Sequence, residues 1–451
     1  MKACVSPHSL TFLRRLPVAA LVSLAFAGTL QAQSLQEVYE MANAHDATYR
    51  AARAQYEANL AKAEQGKAAL RPQVGLTAEA SRNEREVNSN PSINFSGRTL
   101  GVRAVQPLYR PANVASFKQS QKGLELASAA LTQAEQDLIV RLSQGYFDVL
   151  AAQDSLTFVK AQKAAVAEPL ASARRNFEVG TATITDTREA QARFDLVTAQ
   201  EIAAENDLRV KTVALEILVG KSGLKPVGIQ AVTPLPTLQG QAMEAWLAQG
   251  EMAHPAIVVA RTNLEIARLE TEKAAAGHKP TIDFSLEKGQ SKNPLGPSTS
   301  GGVVVDQTIN TASAKITLSL PLYAGHSTEN RIRETVALEE KARLDLEAAQ
   351  RQVAQATRTA FLGLQSGLGQ VKAYEAAEAS SQSALDANKL GYQVGVRINI
   401  DVLNSQSQLF QTKRDLAKAR YEVLVGQLKL RQAAGVLKAE DLQSINRLLT
   451  P

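Results

Sequence analysis

The stretch YQVGVRINID, at residues 392–401, has an earlier counterpart in FEVGTATITD, at residues 177–186. Three further pairs keep the same order along the chain: ARAQYEANLAKAEQGKAALRPQV (52–74) with ARTNLEIARLETEKAAAGHKPTI (260–282), AVQPLYRPANVAS (104–116) with LSLPLYAGHSTEN (318–330), and Gly220 with Gly435. Four matches in the same order indicate an internal repeat, which is the sequence signature of a duplicated structural unit. We therefore predict two structural repeats, at 33–220 and 257–435.

Within each repeat, one region alternates apolar and polar residues, as in a strand with one apolar face. In the second repeat, for example, Ile282, Phe284 and Leu286 alternate with polar neighbours. The predicted strands span about 72–85, 98–109, 280–288 and 311–323, which is near the length that a tilted membrane strand needs. Alternation alone leaves a soluble hairpin in each repeat as the alternative, because barrel signals are weak per segment.

The remainder of each repeat has helical periodicity. Long helices are predicted at about 112–177, 186–219, 328–391 and 401–434, and the longest would extend roughly 100 Å at 1.5 Å per residue. Their apolar positions are often alanine, which permits close helix packing. The turn-rich segment 221–256 and the tail 436–451 interrupt this pattern, and we predict that they form an equatorial belt midway along the helices.

Residues 1–32 read as a secretory signal, with a basic start, an apolar run and a small residue, Ala32, at the expected cleavage site. The only cysteine, Cys4, lies inside this signal. Neither disulfides nor an N-terminal lipid anchor are therefore expected after cleavage. A membrane-spanning chain with only four strands must oligomerise, since open sheet edges in lipid leave backbone groups unsatisfied.

The sequence contains few of the motifs that nucleic-acid binding, metal binding or catalysis require. Its formal net charge of +6 is spread over interspersed acids and bases, so no nucleic-acid partner is predicted. The histidines after the signal are scattered and lack metal-ligand spacing, and no phosphate-binding glycine motif is present. We predict no cofactor, no metal site and no enzymatic activity.

The stretch NKLGYQVGVRINIDVLNSQSQLFQTKRDLAKARYEVLVGQLKLRQAAG (388–435), with FEVGTATITDTREAQARFD (177–195) as its first-repeat counterpart, resembles the TolC-like family of outer-membrane channel tunnels. The resemblance covers essentially the whole chain after the signal. It implies an α+β membrane protein: a homotrimer whose twelve strands form one β-barrel, continued by a twelve-helix α-barrel in the periplasm of a Gram-negative cell.

The same resemblance implies an exit duct for type I protein secretion, multidrug efflux or both. Gly180 and Gly395 would mark the periplasmic tips, where a membrane-fusion adaptor docks. An inner-membrane ABC or RND transporter would supply the energy, and outer-membrane lipid would surround the barrel. The alternative is a secreted, soluble coiled-coil scaffold or adhesin.

The resemblance also places a gate near the tips, formed by Tyr392, Arg397 and Asp401 with Asp186 of the first repeat. Asn404 stands where a family member has a further aspartate, and we hypothesise that Glu189 restores the missing negative charge. An alternative for these carboxylates is helix capping, because Asp186 with Glu189, and Asp401 with Asn404, have the spacing of a capping pair.

Overall fold

A computed structural model describes residues 33–86, 93–181, 183–229, 242–293, 298–300 and 303–449. The predicted signal at 1–32 lies outside this range. The elements in chain order are α1 (Leu35–His45), α2 (Ala47–Ala68), β1 (Gln73–Arg85), β2 (Ile93–Tyr109), α3 (Pro111–Glu178), α4 (Ile184–Val219), α5 (Met243–Ala253), α6 (Pro255–Ala275), β3 (Thr281–Lys292), β4 (Ser298–Ser300), β5 (Val303–Val305), β6 (Thr308–Ser319), α7 (Ser327–Gln393), α8 (Asn399–Ala433) and α9 (Asp441–Asn446).

Four strands form one antiparallel sheet in the order β1-β2-β3-β6. Its register places apolar residues opposite each other: Leu76 faces Val102, and Phe284 faces Ile316. Because side chains alternate between faces, these residues lie on the same side of the sheet. That face is open, since Leu76 is 69% exposed and Ile316 is 67% exposed. A single chain thus presents an apolar sheet face that it does not cover.

Three strand boundaries differ from the prediction by four residues or more. β2 begins at Ile93 instead of 98, and β3 continues to Lys292, because backbone pairing extends beyond the alternating pattern into polar sequence. β6 ends at Ser319 instead of 323. Pro321 follows closely, and proline has no N–H with which to continue a ladder.

Two helical hairpins contain the longest helices of the described chain. α3, of 68 residues, packs against α4, and α7, of 67 residues, packs against α8. Nearer the sheet, α3 lies between α2 and α6, and α6 in turn packs against α7. At 1.5 Å per residue each long helix extends roughly 100 Å. In the described part of the chain, no helix combines the length and apolar character needed to cross a membrane.

The largest buried core surrounds the middle of α3. It joins Leu138–Leu150 of α3 to Leu35 of α1, to Leu424 of α8, and to Leu442 of α9 in the tail. The hydroxyl of Tyr146 accepts the N–H of Val227 at 2.8 Å, which ties the segment after α4 to the same core. The segment after α4 and the described tail, up to Leu449, therefore both pack against the middle of α3; residues 230–241 and 450–451 lie outside the described part.

Candidate gate at the hairpin turns

Each helical hairpin closes through a glycine with a left-handed backbone. Gly180 and Gly395 both have φ of +78°, a conformation that favours glycine because it has no Cβ. The Gly180 N–H donates to the carbonyl of Phe177 at 3.0 Å, and the Gly395 N–H donates to that of Tyr392 at 3.1 Å. The repeated sequence motif thus forms the same helix-ending turn in both repeats.

The two turns expose apolar side chains. Val179 is 72% exposed in the first turn, and Val394, Val396 and Ile398 are 62–75% exposed in the second. Such a concentration of exposed apolar residues at one end of a molecule is typical of a surface that contacts another protein. Gly180 and Gly395, predicted as adaptor-contact tips, lie within this surface.

Asp186 is engaged in capping α4. Its carboxylate Oδ2 accepts the backbone N–H of Thr183 at 3.0 Å and the Thr183 hydroxyl at 2.8 Å, and its own N–H donates back to that hydroxyl. The capping pair is therefore Thr183 with Asp186, and the predicted pair of Asp186 with Glu189 is wrong. Thr183 has the extended backbone of an N-cap, with φ −87° and ψ 158°, whereas Glu189 is an exposed residue within the helix.

The second repeat begins α8 differently. Its N-cap position is Ile398, which makes no side-chain capping bond, so the predicted capping pair of Asp401 with Asn404 is also wrong. Asp401 Oδ2 instead lies 3.6 Å from Arg397 Nη1, with Arg397 58% and Asp401 33% exposed. Arg397 packs over Gly391, where an added Cβ would come within 2.7 Å of the arginine Cγ. Because Gly391 has no side chain, Arg397 can pack directly against its backbone.

Tyr392 is half-buried where α7 meets α8. It packs against Leu385 of α7 and against Val402 and Leu409 of α8. Among the described residues of this one chain, no hydrogen bond joins Asp186 to Tyr392, Arg397 or Asp401. In the described part of the single chain, Arg397 and Asp401 are therefore paired, whereas Asp186 and Tyr392 form no hydrogen bond with either of them.

Asn404 connects the two repeats. Its Oδ1 accepts a hydrogen bond from Arg193 Nη2 at 2.6 Å, which joins α8 to α4 at an exposed position. One residue earlier, Leu403 is fully buried against Leu170 of α3 and Ala190 of α4. α8 therefore packs into the groove of the first hairpin, with Arg193 and Asn404 at its rim. Arg193 is not predictable from the sequence, because its nearness to Asn404 depends on how separate repeats pack.

Further from the turns, a second polar contact joins the same hairpins. The hydroxyl of Tyr421 in α8 donates to Asp154 Oδ2 in α3 at 2.6 Å, and the Tyr421 ring stacks on Phe147. Burial raises the pKa of the Asp154 carboxyl, and the Tyr421 hydrogen bond offsets part of this change. Burial also raises the pKa of the Tyr421 hydroxyl, so this tyrosine remains a donor.

Comparison with known proteins places this architecture in a family. A model of the outer membrane efflux protein family matches residues 38–221 and 246–436, which include both hairpins and both glycine turns. The chain belongs to the outer membrane efflux protein family. It is therefore an outer-membrane export channel, and the alternative of a soluble scaffold or adhesin is excluded.

Relatives and solved structures agree with this assignment. The outer membrane protein TolC of Vibrio cholerae is 32% identical over 95% of this chain and 96% of its own length. The proteases secretion protein PrtF of Dickeya chrysanthemi is 28% identical over 96% and 95%. The solved structure of the outer membrane protein VceC of Vibrio cholerae is 19% identical, covers 89% of this chain and 96% of its own, and has a TM-score of 0.75. The predicted α+β tunnel fold and the TolC-like resemblance are confirmed.

Proposed function

We propose that three copies of the chain form one channel, in which twelve strands close a β-barrel and the helices continue it as a tube. The observation that carries this proposal is the sheet, which has an open apolar face and outermost strands, β1 and β6, that each pair on one side only within the described chain. Lipid cannot satisfy unpaired backbone groups, so β6 of one copy is expected to pair with β1 of the next.

The hairpin turns form the entrance of this channel. The exposed valines around Gly180 and Gly395 would receive a periplasmic adaptor, and an inner-membrane ABC or RND transporter would drive export. The chain itself contributes a conduit and no reaction. Among its described residues, no group of three His, Cys, Asp or Glu side chains is placed to hold a metal ion.

Closure at the entrance rests on contacts between and within hairpins. Arg397 with Asp401 lies at the start of α8, Asn404 with Arg193 joins α8 to α4, and Tyr392 packs where α7 meets α8. Exposed polar contacts contribute about 0.2–1 kcal/mol each, and threefold symmetry would multiply their sum. We propose that opening releases these contacts while the hairpins move as rigid bodies. Glu189, exposed on α4, would add negative charge at the mouth.

Assembly and conduction can be tested with the full-length protein. The expected result is extraction from the outer membrane only with detergent, a particle mass of three chains, and discrete channels in planar bilayers. A stable monomer that is released into periplasmic extracts without detergent would contradict the proposal.

The names of the relatives support a proposal for the substrate class. PrtF is named as a protease secretion protein, which supports protein export through this chain, and the family description supports efflux. We propose that the duct serves a type I secretion pump, an efflux pump or both. Deletion of the gene, followed by comparison of secreted proteins with drug sensitivity, separates these roles. Loss of secreted proteins alone would restrict the duct to secretion.

A further inference from the structure

A cleft of about 560 Å³ opens where the sheet meets the helices. Its lining combines the end of β2, the start of α3 and the end of α6: Leu108, Tyr109, Val114, Lys118, Glu272 and Lys279. The apolar part is open, because Leu108 is 56%, Tyr109 45% and Val114 42% exposed. The cleft thus offers apolar and charged groups side by side.

The position of the cleft keeps it free in an oligomer. β2 and β3 are the inner strands of the sheet, and α3 and α6 pack against each other between α2 and α7. Copies that join through β1 and β6 would meet at the flanks of each chain. The cleft lies at its centre and is not part of that junction.

The charges around the cleft are uncommitted. Within the part of the chain that the structure describes, Lys118, Lys279 and Glu272 form no ion pair, and all three are exposed. Arg110, which also borders the cleft, is already engaged by Asp283 through bonds of 2.8 and 2.6 Å. Two ammonium groups and one carboxylate are therefore available to a ligand.

From this arrangement we infer that the cleft binds the headgroup of a phospholipid of the phosphatidylethanolamine class. The lipid phosphate pairs with Lys118 and Lys279, its ammonium pairs with Glu272, and an acyl chain lies along Leu108. A purely anionic headgroup would leave Glu272 unpaired, and a choline headgroup has no N–H to donate to it. The inference rests on the proposed membrane barrel, which puts the strand ends at the edge of the lipid.

The test uses the intact trimer in detergent, stripped of lipid and titrated with phosphatidylethanolamine, phosphatidylglycerol or phosphatidylcholine in native mass spectrometry. The wild type is expected to bind phosphatidylethanolamine most tightly. The double variant Lys118→Ala/Lys279→Ala should weaken that binding about fivefold, since two exposed ion pairs are lost. Glu272→Gln should reduce the preference over phosphatidylcholine about twofold and leave phosphatidylglycerol bound at least as tightly.

A matched control is Lys372→Ala, which removes an exposed lysine on α7 roughly 70 Å along the helix from its start. It should bind lipid like the wild type. Inorganic phosphate at constant ionic strength should not displace the lipid; displacement would assign the lysines to free phosphate instead. Equal binding of all three lipids, or no effect of the double variant, would overturn the inference. If trimers still conduct in that case, the channel proposal survives; absence of trimers or conduction would overturn the channel itself.

Discussion

Replacement of Arg193 by alanine removes the hydrogen bond between α4 and α8 at the rim of the first hairpin. A hydrogen bond to a charged group contributes about 1.5–3 kcal/mol when it is shielded from water. This hydrogen bond is exposed to water, so a value of about 0.5–1 kcal/mol is appropriate. Three copies in a trimer raise the total to roughly 1.5–3 kcal/mol, which favours the open state roughly ten- to a hundredfold.

The assay is the open probability of single channels in planar bilayers, together with the sensitivity of cells to a large antibiotic that the closed duct excludes. Arg193→Ala should raise both. Arg188→Ala is the matched control, because Arg188 is exposed on the same helix and has no ion pair or side-chain hydrogen bond within the described chain. Asn404→Asp should lower the open probability, since it converts the hydrogen bond into an ion pair.

Equal open probabilities of Arg193→Ala and Arg188→Ala would contradict this prediction if other substitutions at the entrance open the channel. Closure would then depend on contacts between copies, and the contact of Arg193 with Asn404 would be incidental. A loss of trimers in Arg193→Ala, measured by particle mass, would instead assign Arg193 to assembly.

Arg397→Ser should increase single-channel conductance, because it frees Asp401 from its ion pair and removes the side chain that packs over Gly391 at the end of α7. Unchanged conductance would refute a gating role for Arg397. Burial raises the pKa of Asp154 in the folded chain, so the folded state retains a proton longer than the unfolded state. Stability should therefore rise as pH falls through the folded pKa toward the ordinary value for aspartate, and Asp154→Asn should abolish this rise in thermal unfolding curves; parallel curves would contradict it. Leu403→Ala should lower stability by about 2–5 kcal/mol because Leu403 is fully buried, whereas Leu390→Ala, at a side chain 62% exposed, should change the melting temperature little.

Local patterns explain how much of the fold could be predicted. The glycine turns at Gly180 and Gly395 are encoded within ten residues, because a left-handed helix end favours glycine wherever it occurs. Strand alternation around Phe284 likewise depends on the two-residue period of a pleated strand. Such features depend only on neighbouring residues. Because both repeats contain them, the fold class could be predicted from the sequence.

The candidate gate was less predictable because its contacts depend on competition and packing. The spacing of Asp186 and Glu189 predicts Asp186 as the N-cap of α4. The N-cap is instead Thr183, which has an extended backbone and forms the capping hydrogen bonds with Asp186. Arg193 reaches Asn404 only because Leu403 packs into the groove between α3 and α4. Neither result is visible in a window of sequence.

The strand order β1-β2-β3-β6 has a consequence for symmetry. One outer strand comes from the first repeat and the other from the second, so every junction in the proposed ring, within or between chains, would join unlike repeats. The ring would approximate sixfold symmetry with six similar wedges, of which only alternate ones carry Arg397 and Asp401. A mutation in one repeat would then alter three of the six wedges. Substitutions confined to one repeat would therefore give one end of the ring a narrower, threefold outline while the other end stays nearly circular.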